Sequence, residues 1–162
     1  WRELKNLLED VKPLADVSLN TNLTIVRPLE ELLRFELVDH IATDIKAPPQ
    51  ELYGLPKNAS EKLWTLFLRG LEVISEYDLS LELRIPVPKK FDVLPWIEEA
   101  LRHVNTNFYV VLNPLVGKPL TNPRDDHWCS QHCWPDEEEV SKIENRLKSL
   151  GIKVFINRWV TE

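Results

Sequence analysis

Five times along this chain a stretch whose apolar residues recur at helical spacing is followed by one with strand character, and that alternation limits the fold more than any other feature. Leu4, Leu7, Leu8 and Val11 follow the i, i+3, i+4, i+7 pattern of an amphipathic helix over residues 2–12, with Pro13 beyond its end. Residues 15–20 alternate as a short strand. Pro28 opens a second helix to Phe35, striped by Leu29, Leu32 and Leu33. The stretch from Val38 to Pro49 reads as a strand, sending His40, Ala42, Asp44 and Lys46 to one face and Ile41, Thr43 and Ile45 to the other. Residues 47–58, with three prolines and Gly54, predict a long ordered loop. A helix begun by Ser60 and Glu61 carries Leu63, Leu66, Phe67, Leu71 and Ile74 and persists to Tyr77, and residues 79–87 alternate as a third strand. Asp92 is placed to cap a helix bearing Leu94, Ile97, Leu101 and Val104. Phe108 to Leu112 is almost wholly apolar, which predicts a fourth strand covered on both faces. A polar loop rich in His, Trp and Cys comes next. The run from Pro135 to Glu139 then starts a helix with acids where the helix dipole favours them, Gly151 caps it, and Ile152 to Trp159 forms the last strand.

Strands separated by helical crossovers imply a parallel sheet wound in one hand. The expected fold is therefore α/β, an open sheet or a partial (β/α) barrel of about five parallel strands, in one domain over residues 1–162. Such folds bind ligands at the carboxyl ends of their strands. Polar residues stand at each of these ends: Asn20-Thr21-Asn22 after the first, Asp44 and Lys46 on the second, Arg84 after Glu82 on the third, and Asn113 on the fourth. The residues alone leave two readings open, a ligand site or local pairing such as Asp44 with Arg84.

The succession "SLNTN", "VDHIATDIKAP" followed by Tyr53, "LELRIPVP" and "VVLNPL" resembles the later strands of the radical S-adenosylmethionine superfamily. Within it, the chain is most similar to the enzymes that activate pyruvate formate-lyase and anaerobic ribonucleotide reductase. There the matching stretches read Asp-Thr-Asn-Gly, Asp-hydrophobic-Lys, and an Arg a few residues before a Pro. The resemblance implies that Asp44 and Lys46 face S-adenosylmethionine, that Arg84 lies near its methionine carboxylate or sulfonium, and that Asn22 and Asn113 belong to the same wall. Asn20 stands where the family has its leading Asp, and Leu23 where it has Gly.

The same resemblance implies a [4Fe-4S] cluster in the full-length protein, held by a Cys-x3-Cys-x2-Cys loop. That loop is absent from this sequence, so the cluster is not expected to bind this chain. The chain has no Met and begins at Trp1, and it is expected to be the C-terminal part of a (β/α)6-type barrel, inactive alone. A glycyl-radical protein and an electron donor are the implied partners of the whole enzyme, and dimerisation through the open barrel edge is expected of the fragment.

His127-Trp128-Cys129-Ser130-Gln131-His132-Cys133-Trp134 is the other constellation. Cys129, Cys133, His127 and His132 are soft or borderline ligands for zinc or iron, and the two cysteines share a face if the segment is helical. A disulfide, or cysteines packed beside Trp128 and Trp134, fits the same spacing. The metal version makes the chain a non-catalytic α/β interaction module, the alternative to the enzyme. Composition narrows the partners. A formal net charge of −6 and pI near 5.3 argue against nucleic acid. No apolar run approaches the roughly 20 residues of a membrane span, and no signal-peptide pattern is present. Two cysteines are too few for a disulfide framework, so a cytoplasmic, reducing compartment is expected.

Overall fold

A computed structural model of the chain describes residues 1–117 and 125–157. In order, the elements are α1 (Arg2–Val11), β1 (Ser18–Asn20), α2 (Val26–Arg34), β2 (His40–Asp44), α3 (Pro49–Tyr53), α4 (Lys57–Ile74), β3 (Ser80–Val87), α5 (Leu94–Leu101), β4 (Phe108–Pro114), α6 (Asp126–His132), α7 (Glu137–Ser149) and β5 (Val154–Ile156). The strands form one five-stranded sheet in the order β1-β2-β3-β4-β5, and every pairing is parallel. This is an α/β fold. Because spatial order follows chain order, each crossover steps in the same direction, and right-handed connections then place the main helices on one face of the sheet.

Burial follows that arrangement. Along β3, Leu81, Leu83, Ile85 and Val87 are fully buried, whereas Ser80, Glu82, Arg84 and Pro86 are only half-buried. The buried set joins Ile41 and Ile45 around β2, Val110 and Leu112 of β4, and helix residues Leu32, Phe67, Leu71, Ile97 and Leu147 in a single core. Strand β4 departs from the expectation of cover on both faces, since Tyr109 and Val111 are half-buried. One sheet face is packed; the other carries polar and aromatic side chains, with no helix layer on it among the described residues. Among the described residues, no helix is long and apolar enough to cross a membrane.

Two expected loops contain short helices. Pro48 and Pro49 lie at the start of α3 and Pro56 at the start of α4, so all three prolines of residues 47–58 begin helices, where a fixed φ and a missing N–H carry no penalty. Gly54, at φ 63, closes α3 in the left-handed region. Helix α6 occupies the segment expected to be a polar loop, and the Asp125 side chain caps it by accepting from Trp128 N at 3.0 Å. Asp92 does not cap α5, whose flanking Val93 makes no side-chain capping bond. In contrast, Asp136 and Glu139 form a complete capping box at α7, and Gly151 follows that helix at φ 79. The expected last strand is observed as Val154–Ile156; its end at Trp159 lies outside the described residues.

The entry to β2 is clamped by Asp39. Its carboxylate accepts from Lys12 and, at 2.7 Å, from Val17 N, tying the end of α1 to the strands. These bonds, with Lys12 foremost, hold the Asp39 carboxyl below its ordinary pKa. A depressed folded-state pKa stabilises the fold above the unfolded value of about 3.9 and ceases to do so as pH falls through the folded value. Asp39→Asn is therefore expected to be less stable than the parent at pH 7, with the difference shrinking below about pH 4, as read by urea denaturation at a series of pH values.

Candidate functional site

The uncovered face of the sheet gathers a charged network near the carboxyl ends of β1, β2 and β3. Parallel registers place Asn20 opposite Ala42, Ala42 opposite Glu82, and Glu82 opposite Tyr109. One step further along, Asp44 is opposite Arg84, which is opposite Val111. Period two then puts these side chains on one face in successive rows.

Arg84 is the hub. Its Nη2 donates to Asn20 Oδ1 at 2.6 Å, and its Nε lies 2.9 Å from Asp44 Oδ1 and 3.8 Å from Glu82 Oε1. Lys46 Nζ donates to Asp44 Oδ2 at 3.2 Å. One row back, the Tyr109 hydroxyl donates to Glu82 Oε2 at 2.6 Å, and that bond to a carboxylate raises the phenol's pKa. Two carboxylates thus face an Arg and a Lys, and the cluster is close to neutral.

Two polar atoms of this face remain unsatisfied. Arg84 Nε is within ion-pair distance of Asp44, but its N–H is not aimed along that contact, and among the described residues it has no aligned acceptor. Asn113 Oδ1, at the end of β4, is buried and has no donor among the described residues. Asn113 pairs in register with Pro86 and therefore sits diagonally across from Arg84 on the same face. A buried donor and a buried acceptor left unpaired cost free energy, of order 1–3 kcal/mol each, and mark places where a ligand improves the bonding.

Asn20 and Asp44 end β1 and β2, Lys46 follows β2, and Asn113 is next to last in β4, as the sequence places them, whereas Arg84 shares their face but lies within β3, three residues before its end at Val87. Asn22 is not among them. It is exposed after β1, where its Oδ1 accepts from Thr24 N at 3.1 Å and from Thr24 Oγ1 at 2.8 Å, a local turn that directs the amide back on its own loop. Glu82 and Tyr109 join the network without having been singled out in the sequence. Their signal is the two-residue offset of Glu82 from Arg84, but pairing it with Tyr109 requires the register of β3 on β4. Tyr53 closes α3, and burial pushes its phenol up to about 12, so it is protonated at neutral pH.

The second constellation takes a different form from the expected metal site. Cys129 and Cys133 are joined as a disulfide, which supplies no thiolate. His127 Nε2 lies 3.0 Å from Gln131 Nε2, whereas His132 stacks on Phe91 at 4.3 Å between centroids and places Nδ1 3.2 Å from Lys89 O. The histidines face different neighbours, and among the described residues no group of three His, Cys, Asp or Glu side chains is placed to hold a metal ion.

A cleft of about 450 Å³ lies beside the start of α7, lined by Pro114, Val116, Trp134, Asp136, Val140 and Ile156 among others. None of the charged network lines it. The network occupies an open surface, which enclosed volume does not register, so chemistry and cavity size point to different places; the unpaired polar atoms favour the sheet face. A scan of protein-family models finds none that matches the chain, and no curated protein matches it.

Proposed function

We propose that the uncovered sheet face binds S-adenosylmethionine, and that the chain is part of a radical S-adenosylmethionine enzyme of the activating type. The observation that carries this reading is the pair of unsatisfied atoms, Arg84 Nε and Asn113 Oδ1, flanking a network of Asp44, Lys46 and Asn20. A methionyl group presents a carboxylate and an ammonium. Arg84 suits the first through its planar fork of donors, and the Asn113 carbonyl and Asp44 suit the second. Leu23 adds support of another kind: it stands where the resembling enzymes have Gly and holds φ 60, the left-handed conformation that glycine adopts most easily.

The protein's part is binding and orientation. Arg84 is held by Asn20 and Asp44 before any ligand arrives, so little ordering is left to do on binding. Lys46 and Asp44 compensate each other's charge, and neither is assigned a proton transfer. In the superfamily the cofactor supplies hydrogen abstraction from a partner glycine or a small substrate after reductive cleavage by an iron–sulfur cluster. That cluster does not fit the residues of this chain, which has two cysteines, joined to each other. The thiolates, like the glycyl-radical partner and the electron donor, belong to other polypeptide in this reading.

Isothermal titration of the protein with S-adenosylmethionine tests it. Binding is expected, and Asp44→Ala is expected to weaken it about tenfold, in line with loss of one charged partner. Absence of binding in the parent, or an unchanged affinity in a folded Asp44→Ala protein, counts against the assignment.

A further inference from the structure

We infer that Cys129 and Cys133 are a redox-active pair whose oxidation state sets the docking of α6 over the strand ends. The segment after α6 is fastened to the ends of β3 and β4 by backbone bonds: Lys89 N donates to His132 O at 2.7 Å and Trp134 N to Leu115 O at 2.7 Å, while Leu115 N donates to Val87 O at 2.9 Å. Side chains add a second set of contacts. His132 stacks on Phe91, and Trp128 Nε1 donates to Glu51 Oε2 of α3 at 3.2 Å. Helix α6 therefore lies across the carboxyl end of the sheet, from the connection after β2 to the end of β4.

The helix that makes these contacts is short and is closed on itself by the disulfide. Helix α6 has seven residues and none of them is fully buried. A helix that short does not persist on its own. The bond between Cys129 and Cys133 joins the helix to the residue that ends it, where Cys133 N also donates to Cys129 O at 2.8 Å. It closes a loop with a sequence separation of 4, and very short loops contribute least to the stability of a whole domain. Breaking it is therefore a local event, felt by α6 and its docking contacts and not by the sheet.

Access fixes the order of exchange. Cys133 is 3% exposed and Cys129 is partly exposed, so an incoming thiolate meets the Cys129 sulfur. The reductant is a protein or small-molecule dithiol. Its first thiolate attacks Cys129 Sγ, the disulfide breaks, and the Cys133 sulfur leaves as a thiolate that takes up a proton. The reductant's second thiolate then attacks the mixed disulfide, releasing Cys129, which is protonated in turn. Two electrons pass to the pair, and the reductant ends as its own disulfide. In a reducing compartment an isolated disulfide is usually a transient bond of this redox kind.

Hydrogen exchange on the intact protein, oxidised or treated with dithiothreitol, tests the inference, with alkylation and mass measurement reporting the thiols. Reduction is expected to proceed on the folded protein and to speed exchange at the amides of Lys89, Cys133 and Trp134 at least tenfold, leaving those of β2 and β3 unchanged. A Cys129→Ser/Cys133→Ser protein is expected to match the reduced state. Thiols that stay inaccessible to dithiothreitol, reduction without a change in α6 exchange, or a sheet that unfolds on reduction would each overturn the inference.

Discussion

Arg84→Met is expected to lose about a hundredfold in affinity for S-adenosylmethionine while remaining folded, which corresponds to the ~2.7 kcal/mol expected of a charge-assisted contact. Arg84 is the residue through which the network is joined: Asn20, Asp44 and Glu82 all approach its guanidinium. Methionine keeps much of the apolar stem and removes every donor, so the ligand carboxylate loses its partner and Asp44 keeps its bond to Lys46. The side chain is 23% exposed, and water reaches the carboxylates left behind, which limits the loss of stability to about 1 kcal/mol. Arg84→Lys separates charge from geometry. A point charge without the fork recovers part of the affinity, and full recovery would show that direction does not matter here. Titration calorimetry for affinity and thermal unfolding for stability keep the two effects apart.

Gly70→Val is expected to destabilise the fold by about 3 kcal/mol, the upper part of the range for forced overpacking. A Cβ at Gly70 would stand 2.5 Å from Leu23 O and 2.7 Å from Leu23 Cβ, and the first of these is backbone that no rotamer change can move. Leu23 is 1% exposed and already held at φ 60, so the loop after β1 has little freedom to retreat. Helix α4 must then back away from the sheet and leave Phe67 and Leu71, both fully buried, poorly packed. The alanine variant gives a sharper test of cause. Helix propensity alone makes Gly70→Ala stabilising by up to ~1 kcal/mol, whereas the close approach makes it destabilising. Urea denaturation of the two variants reads the sign directly. A more stable Gly70→Ala protein would show that Leu23 yields easily.

The succession of long helices and strands was legible because those segments are amphipathic, and a periodic pattern over several residues survives uncertainty at its ends. The parallel five-stranded sheet followed from it. What escaped were α3 and α6, of five and seven residues, too short to show a period. The prolines of residues 47–58 look like breakers in a sequence and act as helix starters in the structure, since the same fixed φ serves either role. The cover on β4 also escaped, because an apolar strand such as Phe108–Leu112 has the same composition whether one face or both are packed.

In the site, Asn20, Asp44 and Asn113 were legible as strand ends; Arg84 was legible by its alternation with the buried residues of β3, although the strand runs on to Val87. Glu82 with Tyr109 depended on interstrand register, which no single strand encodes. Asn22 looked equivalent to Asn20, yet its own short side chain bonds to Thr24 more readily than to anything across the sheet. Spacing left the chemistry of Cys129 and Cys133 open, since one helical turn suits a metal chelate, a disulfide or simple packing.

Amide chemical-shift mapping during titration with S-adenosylmethionine tests the central claim most directly. The assignment of the uncovered sheet face requires the largest shifts at Asn20, Asp44, Lys46, Arg84 and Asn113, saturating together with a single affinity. Saturating shifts confined to Trp134, Asp136 and Val140 around the cleft beside α7, or no shifts at any ligand concentration, would contradict it.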